Sequence, residues 1–238
     1  MRALVAELAP SRYARLRLLL ALVACLGASL ACVEEPDTAA HPFSVYDVQV
    51  TVSAPSEHAT VDLQIDVQYQ DQAHWLAARE SIVCDGIGLV AISGSTTLSA
   101  AVPLRAPGSA YHCLFTSLGA AITLNITVPP LPRLVAPAPG ATLARTASFT
   151  LAYAHGSGVA GSDVLAKLPG LHHSFLSSRQ TGPDVFVVDP HNALRDFPAG
   201  PGSLDITTTV SNSIAATAGL KSLTATFVSV TSVPAIWT

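Results

Sequence analysis

Charge is what this sequence has least of. Lys, Arg, Asp and Glu make up 12% of its 238 residues, about half the usual share for a globular chain. Beyond the first 17 residues no stretch concentrates Lys and Arg, so nucleic-acid binding, which needs a basic surface, has no electrostatic support. Helical periodicity is missing too, since no segment holds a 3.6-residue apolar pattern for three full turns. The common catalytic signatures are absent: there is no G-x-S-x-G elbow and no H-E-x-x-H pair. What the chain does have is alternation, with β-branched residues recurring at every second position over several stretches. That periodicity separates it from a disordered chain of similarly low charge.

The N-terminal stretch has a different character. Arg12, Arg15 and Arg17 precede the apolar run Leu18 to Ala31, which ends in small residues before Cys32. Basic flank, apolar run and small-residue end are the parts of a secretory signal. The run has 14 residues, short of the roughly 20 that cross a hydrocarbon core. The segment resembles a bacterial lipoprotein leader. Leu22-Val23-Ala24-Cys25 fits the wording of that motif closely, and Ser29-Leu30-Ala31-Cys32 departs from it at Ser29. Cleavage before Cys25 would leave an apolar run of seven residues, Leu18 to Ala24. Lipidation there would also leave Cys32 as an odd thiol in an oxidising compartment. Cys32 is therefore the expected anchor, with Cys25 and plain secretion as the alternatives. The resemblance implies a membrane partner reached through acyl chains. With Val33 rather than Asp after the cysteine, it implies retention at the outer membrane. Residues 32–40 would be an acidic tether.

Processing before Cys32 leaves 207 residues with 8 basic and 15 acidic groups, a net charge of −7. In Tyr46 to Ser53 and Val61 to Gln70, apolar and polar residues alternate without a break. Side chains on a strand point to opposite faces with period two, so both are strands with one core face and one wet face. Asp71 to Glu80 breaks the alternation and reads as a short helical turn carrying Trp75. Further strands are expected around 82–92, 97–104, 110–115 and 121–128, punctuated by Gly86, Gly88, Gly94, Gly108 and Gly119. Asn125 falls on the wet face of the last. Cys84 and Cys113, the only cysteines beyond the leader, are expected to form a disulfide in the exported chain.

Five of the 17 prolines lie between Pro129 and Pro139, and proline cannot donate to a sheet ladder. Residues 129–140 therefore read as a linker between a first β-sandwich, 41–128, and a second, 141–238. Val135 to Leu143 followed by Ser148 to Ala154 resembles the opening of bacterial immunoglobulin-like or fibronectin type III-like modules, departing at Tyr153, where many such modules place a core Trp. Later strands are expected at 185–189, 203–212 and 222–233. The fold class expected is all-β, with two immunoglobulin-like sandwiches after a cleaved signal.

Three groups of residues invite a chemical reading. Gly156-Ser-Gly-Val-Ala-Gly161 matches G-x-G-x-x-G, but Pro169-Gly170 leaves no room for the helix a dinucleotide site needs; a surface loop and no cofactor are expected. His172, His173, Asp184 and His191, with His155 and Asp189, are the right types for a metal, though without a ligating signature. They read as solvated loop residues. Asp189-Pro-His-Asn suits a turn whose Asp or Asn caps one helical turn. The function expected is a non-catalytic binding, adhesion or envelope role with a protein or a glycan as ligand. The alternative is an exported hydrolase or metal-dependent enzyme with its site in the second sandwich.

Overall fold

A computed structural model describes residues 39–54, 59–154, 158–190, 193–213 and 219–238. The alternating stretches are strands β1 (Tyr46–Ala54) and β2 (Thr60–Tyr69). They pair antiparallel, from Tyr46 opposite Tyr69 to Ser53 opposite Asp62. This register puts Val48, Val50 and Val52 on the same buried face as Leu63, Ile65 and Val67. Each such side chain contributes about 2 kcal/mol by leaving water, and a slip of one residue would expose them all.

Seven more strands complete the first sandwich: β3 (Gln72–Ala73), β4 (Ser81–Cys84), β5 (Ile87–Gly88), β6 (Val90–Ala91), β7 (Leu98–Pro103), β8 (Ala110–Ser117) and β9 (Ala120–Thr127). One layer runs β1-β2-β7-β6, with β3 on β2; the facing layer is β5-β4-β8-β9. The chain crosses between the layers after β3, β5 and β7, which gives the immunoglobulin-like arrangement. The core holds Ile82, Cys84, Tyr111, Cys113, Phe115, Leu124 and Ile126 against the β1–β2 face. At the start of β8 the Tyr111 hydroxyl accepts a hydrogen bond from the Arg105 N–H at 3.3 Å. This is the corner that immunoglobulin-like folds build there. The Cys84–Cys113 disulfide forms as expected. It joins directly opposed residues of β4 and β8 within one sheet, not two facing sheets.

The second sandwich comprises β10 (Leu134–Ala136), β11 (Ala141–Leu143), β12 (Phe149–Tyr153), β13 (Gly161–Lys167), β14 (His173–Gly182), β15 (Val185–Asp189), β16 (Gly200–Ser213) and β17 (Ser222–Trp237). The hydrogen-bonded order is β10-β12-β15-β14-β13-β16-β17, with β11 on β17. Leu151, Phe186 and Val188 share a core with Val164, Ala166, Leu204, Ile206, Val233, Ala235 and Trp237. Trp237 is fully buried, and its Nε1 donates to the Lys167 carbonyl at 3.0 Å.

Several sequence expectations need correcting. Asp71 to Glu80 is not helical: it carries β3 and then turns. The proline-rich span holds β10, which pairs with β12, and β11 follows it immediately. Residues 158–160 of the glycine-rich stretch and His172 are loop as expected, whereas Gly161 opens β13 and His173 opens β14. The last two strands also belong to both halves. Val210, Leu220, Leu223, Ala225 and Phe227 lie in the first core, although the sequence assigns all of 141–238 to the second sandwich. Ser222 to Ser229 of β17 pair in parallel with Asp47 to Ala54 of β1. Farther along the same strand, Ala235 to Trp237 pair with β11. With 16 residues, β17 spans about 50 Å and lies in both sandwiches.

Candidate functional site

The residues singled out in the sequence are scattered. Cys25, Cys32 and the tether to Thr38 lie outside the described residues, as do His155 and His191. His172 and His173 are exposed at the start of β14, whereas Asp184 is buried in the turn beyond its far end. Asp184 Oδ1 accepts from the Val159 N–H at 3.4 Å. Among the described residues no three His, Cys, Asp or Glu side chains gather as a metal group. Gly161 opens β13 opposite Thr209 of β16, so a strand stands where a nucleotide-binding helix would be needed. Asn125 is on the wet face of β9, its Oδ1 2.7 Å from His112 Nδ1.

Chemistry-bearing side chains converge instead at the end of the first sandwich where the chain enters. Glu80 is buried there and accepts four hydrogen bonds. Tyr46 Oη donates to Oε1 at 2.9 Å and Ser117 Oγ at 2.6 Å. His74 Nε2 lies 2.9 Å from Oε2, and the Ala77 N–H donates to Oε2 at 2.8 Å. The carboxylate can only accept when ionised, which assigns the hydrogen of His74 to Nε2. Burial pushes the Glu80 carboxyl up, but the hydrogen bonds from Ser117, Ala77, His74 and Tyr46 together outweigh it and hold the carboxyl below the usual carboxylate range. Burial pushes the Tyr46 hydroxyl well above its ordinary value, so it remains a proton donor.

This cluster also fixes the incoming chain. The His41 N–H donates to Tyr46 Oη at 2.8 Å, and Ser117 Oγ lies 3.1 Å from the His41 carbonyl. The His41 ring stacks on Tyr69 at 4.0 Å. Beside it is a cleft of about 570 Å³ lined by Ala40, Ala77, Ala78, Arg79, Thr116, Leu118 and Gly119. Glu80 sits at the centre, with Ser117 and His74 each bonded to it separately. A hydrolytic triad instead needs the histidine between serine and acid. The arrangement is a clamp.

Sequence reasoning missed the clamp although a signal was present. Glu80 has the phase of Ile82 and Cys84, and Ser117 that of Tyr111, Cys113 and Phe115. Both are polar residues on the core-facing phase at a strand end, where only a shared partner makes burial tolerable.

A second feature lies on the other sandwich. His173, Phe175, Ser177 and Arg179 are exposed on the outward face of β14, with Leu176 buried between them. Phe175 is 79% exposed. Its row continues through Leu165 of β13 to Asp205 of β16 and Ser232 of β17. Asp205 binds Lys167 Nζ at 2.5 Å and Ser232 Oγ at 2.8 Å, so one ring stands proud of a polar, hydrogen-bonded surface.

No protein-family model matches the chain, and no curated protein matches it in sequence. Solved structures do resemble it. SGBP-B of the Bacteroides ovatus mixed-linkage glucan utilization locus, in complex with a mixed-linkage heptasaccharide, is 12% identical with a TM-score of 0.24. The alignment covers 87% of this chain and 47% of that one, so this chain spans about half its length. The titin I9–I11 tandem is 9% identical with a TM-score of 0.28, over 80% of this chain and 66% of that one. The fibronectin(III)-like modules of Clostridium thermocellum CbhA are 12% identical with a TM-score of 0.26, over 80% and 94%. The fold assignment itself rests on strand order and register. No helix among the described residues is long and apolar enough to cross a membrane.

Proposed function

We propose that this chain is an exported lipoprotein of the bacterial cell envelope, held at the outer membrane through acyl chains on Cys32, with a non-catalytic binding role. In this reading two immunoglobulin-like sandwiches stand in series. The first is clamped to the tether and the second carries the recognition surface, which takes a protein or a glycan.

The observation that carries the reading is the course of β17. It starts beside Asp47, at the end of β1 where the tether enters, and its later residues pair in the second sandwich. Because the pairing with β1 is parallel, the second sandwich lies beyond the end of the first that is remote from the tether. A tethered protein built this way presents its far module outward, and the exposed ring of Phe175 is on that module. Exposed aromatic anchors supply a large share of binding energy where they occur at recognition surfaces.

The test compares the mature chain with its Phe175→Ser variant on arrays of polysaccharides and envelope proteins. A ligand whose affinity falls at least tenfold in the variant, with the melting temperature unchanged, supports the reading. A ligand held equally by both forms overturns the assignment of this face.

A further inference from the structure

The turn between β8 and β9 is an unusual place for a leucine. Leu118 and Gly119 are its two central residues, at φ of 51° and 78°, and Ser117 pairs with Ala120 across them. Two-residue hairpin turns with both central φ positive favour Asn, Asp and Gly, because a bulky L-residue in the left-handed region carries a steric cost. Leu118 bears that cost and is also 61% exposed, so neither the turn nor the core accounts for it. It lines the same cleft as Arg79 and Ala40. Trp75, 37% exposed, lies on the same 74–80 connection as Arg79.

The length of the chain before this point says what meets these residues. The clamp holds His41 by its N–H and its ring. From Cys32 to His41 there are nine residue steps, which reach about 30 Å at full extension. Acyl chains on Cys32 therefore keep this end of the first sandwich within about 30 Å of the lipid surface. An apolar side chain at an exposed turn and a guanidinium lining the same cleft are groups that partition into the headgroup boundary, as is the indole of Trp75 on the connection that carries Arg79.

We propose that the tether-bearing end of the first sandwich rests on the bilayer. Leu118 enters the boundary between headgroups and acyl chains, and Arg79 pairs with lipid phosphates. This rests on the anchored reading above. It makes the clamp an orienting device, since a tether leaving a fixed point holds one end of the molecule down.

The test rebuilds the anchor without relying on natural acylation. The mature chain Cys32–Thr238, with Cys84 and Cys113 bonded, is coupled through Cys32 to a maleimide phospholipid. The vesicles are phosphatidylcholine and phosphatidylglycerol, with or without bromine at shallow acyl positions. In a chain carrying Trp75→Phe and Leu118→Trp, the buried Trp237 supplies a constant background. Bromine should quench the emission from the introduced indole at least twofold, and Arg79→Ser should weaken that quenching. Equal emission from brominated and plain vesicles overturns the proposal. Acylation is read separately, by mass spectrometry of the natural membrane fraction. An unmodified Cys32 there would sink the anchored reading and leave the vesicle result standing as a property of the surface.

Discussion

At the scale of single residues, two positions carry constraints that their chemical type hides. Gly202 is one. A Cβ there would sit 2.2 Å from the Lys167 carbonyl and 2.7 Å from Trp237 Nε1, so any side chain displaces the indole from the carbonyl it binds. Gly202→Ala should cost about 3 kcal/mol in urea denaturation. Gly88→Ala, with open space around the added carbon, should be near neutral. Glu80 is the other. Its native carboxyl is held below the ordinary value, so the stability it gives is present above the unfolded value of about 4.3. That stability fades as pH falls through the native value. Glu80→Gln should lower stability by about 1–3 kcal/mol at pH 7, and that deficit should shrink steadily as the pH falls below about 4.3. A deficit that stays constant through the acid range would rule out the ionised clamp. Gly202 was not legible, since it looks like an ordinary turn glycine; Glu80 closes a polar stretch and was marked only by sharing the phase of Ile82 and Cys84.

Among the elements, legibility followed the side chains that face the core. β1 and β2 were plain because Val, Leu, Ile and, at Tyr46, an aromatic ring mark every inward position. In β13 the inward positions are Ser162, Val164 and Ala166, too small and mixed to stand out from a glycine-rich loop. β14 buries Leu176 and, apart from the exposed Phe175 and the terminal Gly182, carries polar residues, so its pairing with β13 and β15 is what makes it a strand. The disulfide was readable from cysteine number and the expectation of export, but not its place within one sheet. The double allegiance of β16 and β17 was hidden because a strand's sequence shows which face is apolar, not which core that face meets. It can be checked at Phe227. Phe227→Ala should cost about 3–5 kcal/mol and weaken amide protection in β1 and β2, roughly 160 to 180 residues earlier in the chain. If only β16 and the second core lose protection, Phe227 does not serve the first.

For the whole molecule, the shared strand changes what a cut between the halves should do. Arg133 is exposed and lies in the proline-rich span, where the sequence alone leads one to expect trypsin to release two separate modules. The β1–β17 ladder predicts otherwise. After a nick at Arg133 the two pieces should still co-elute in native size exclusion and part only in denaturant. Separation under native conditions would show that the ladder does not hold. The same ladder has a mechanical meaning. In the anchored reading proposed above, tension between the lipid and a ligand on the far module would draw β1 toward the membrane and β17 away from it, along their common axis. The eight opposed pairs from Asp47–Ser222 to Ala54–Ser229 would then be loaded together in shear, instead of being peeled apart one after another. The seam between the halves is thus placed to resist a pull.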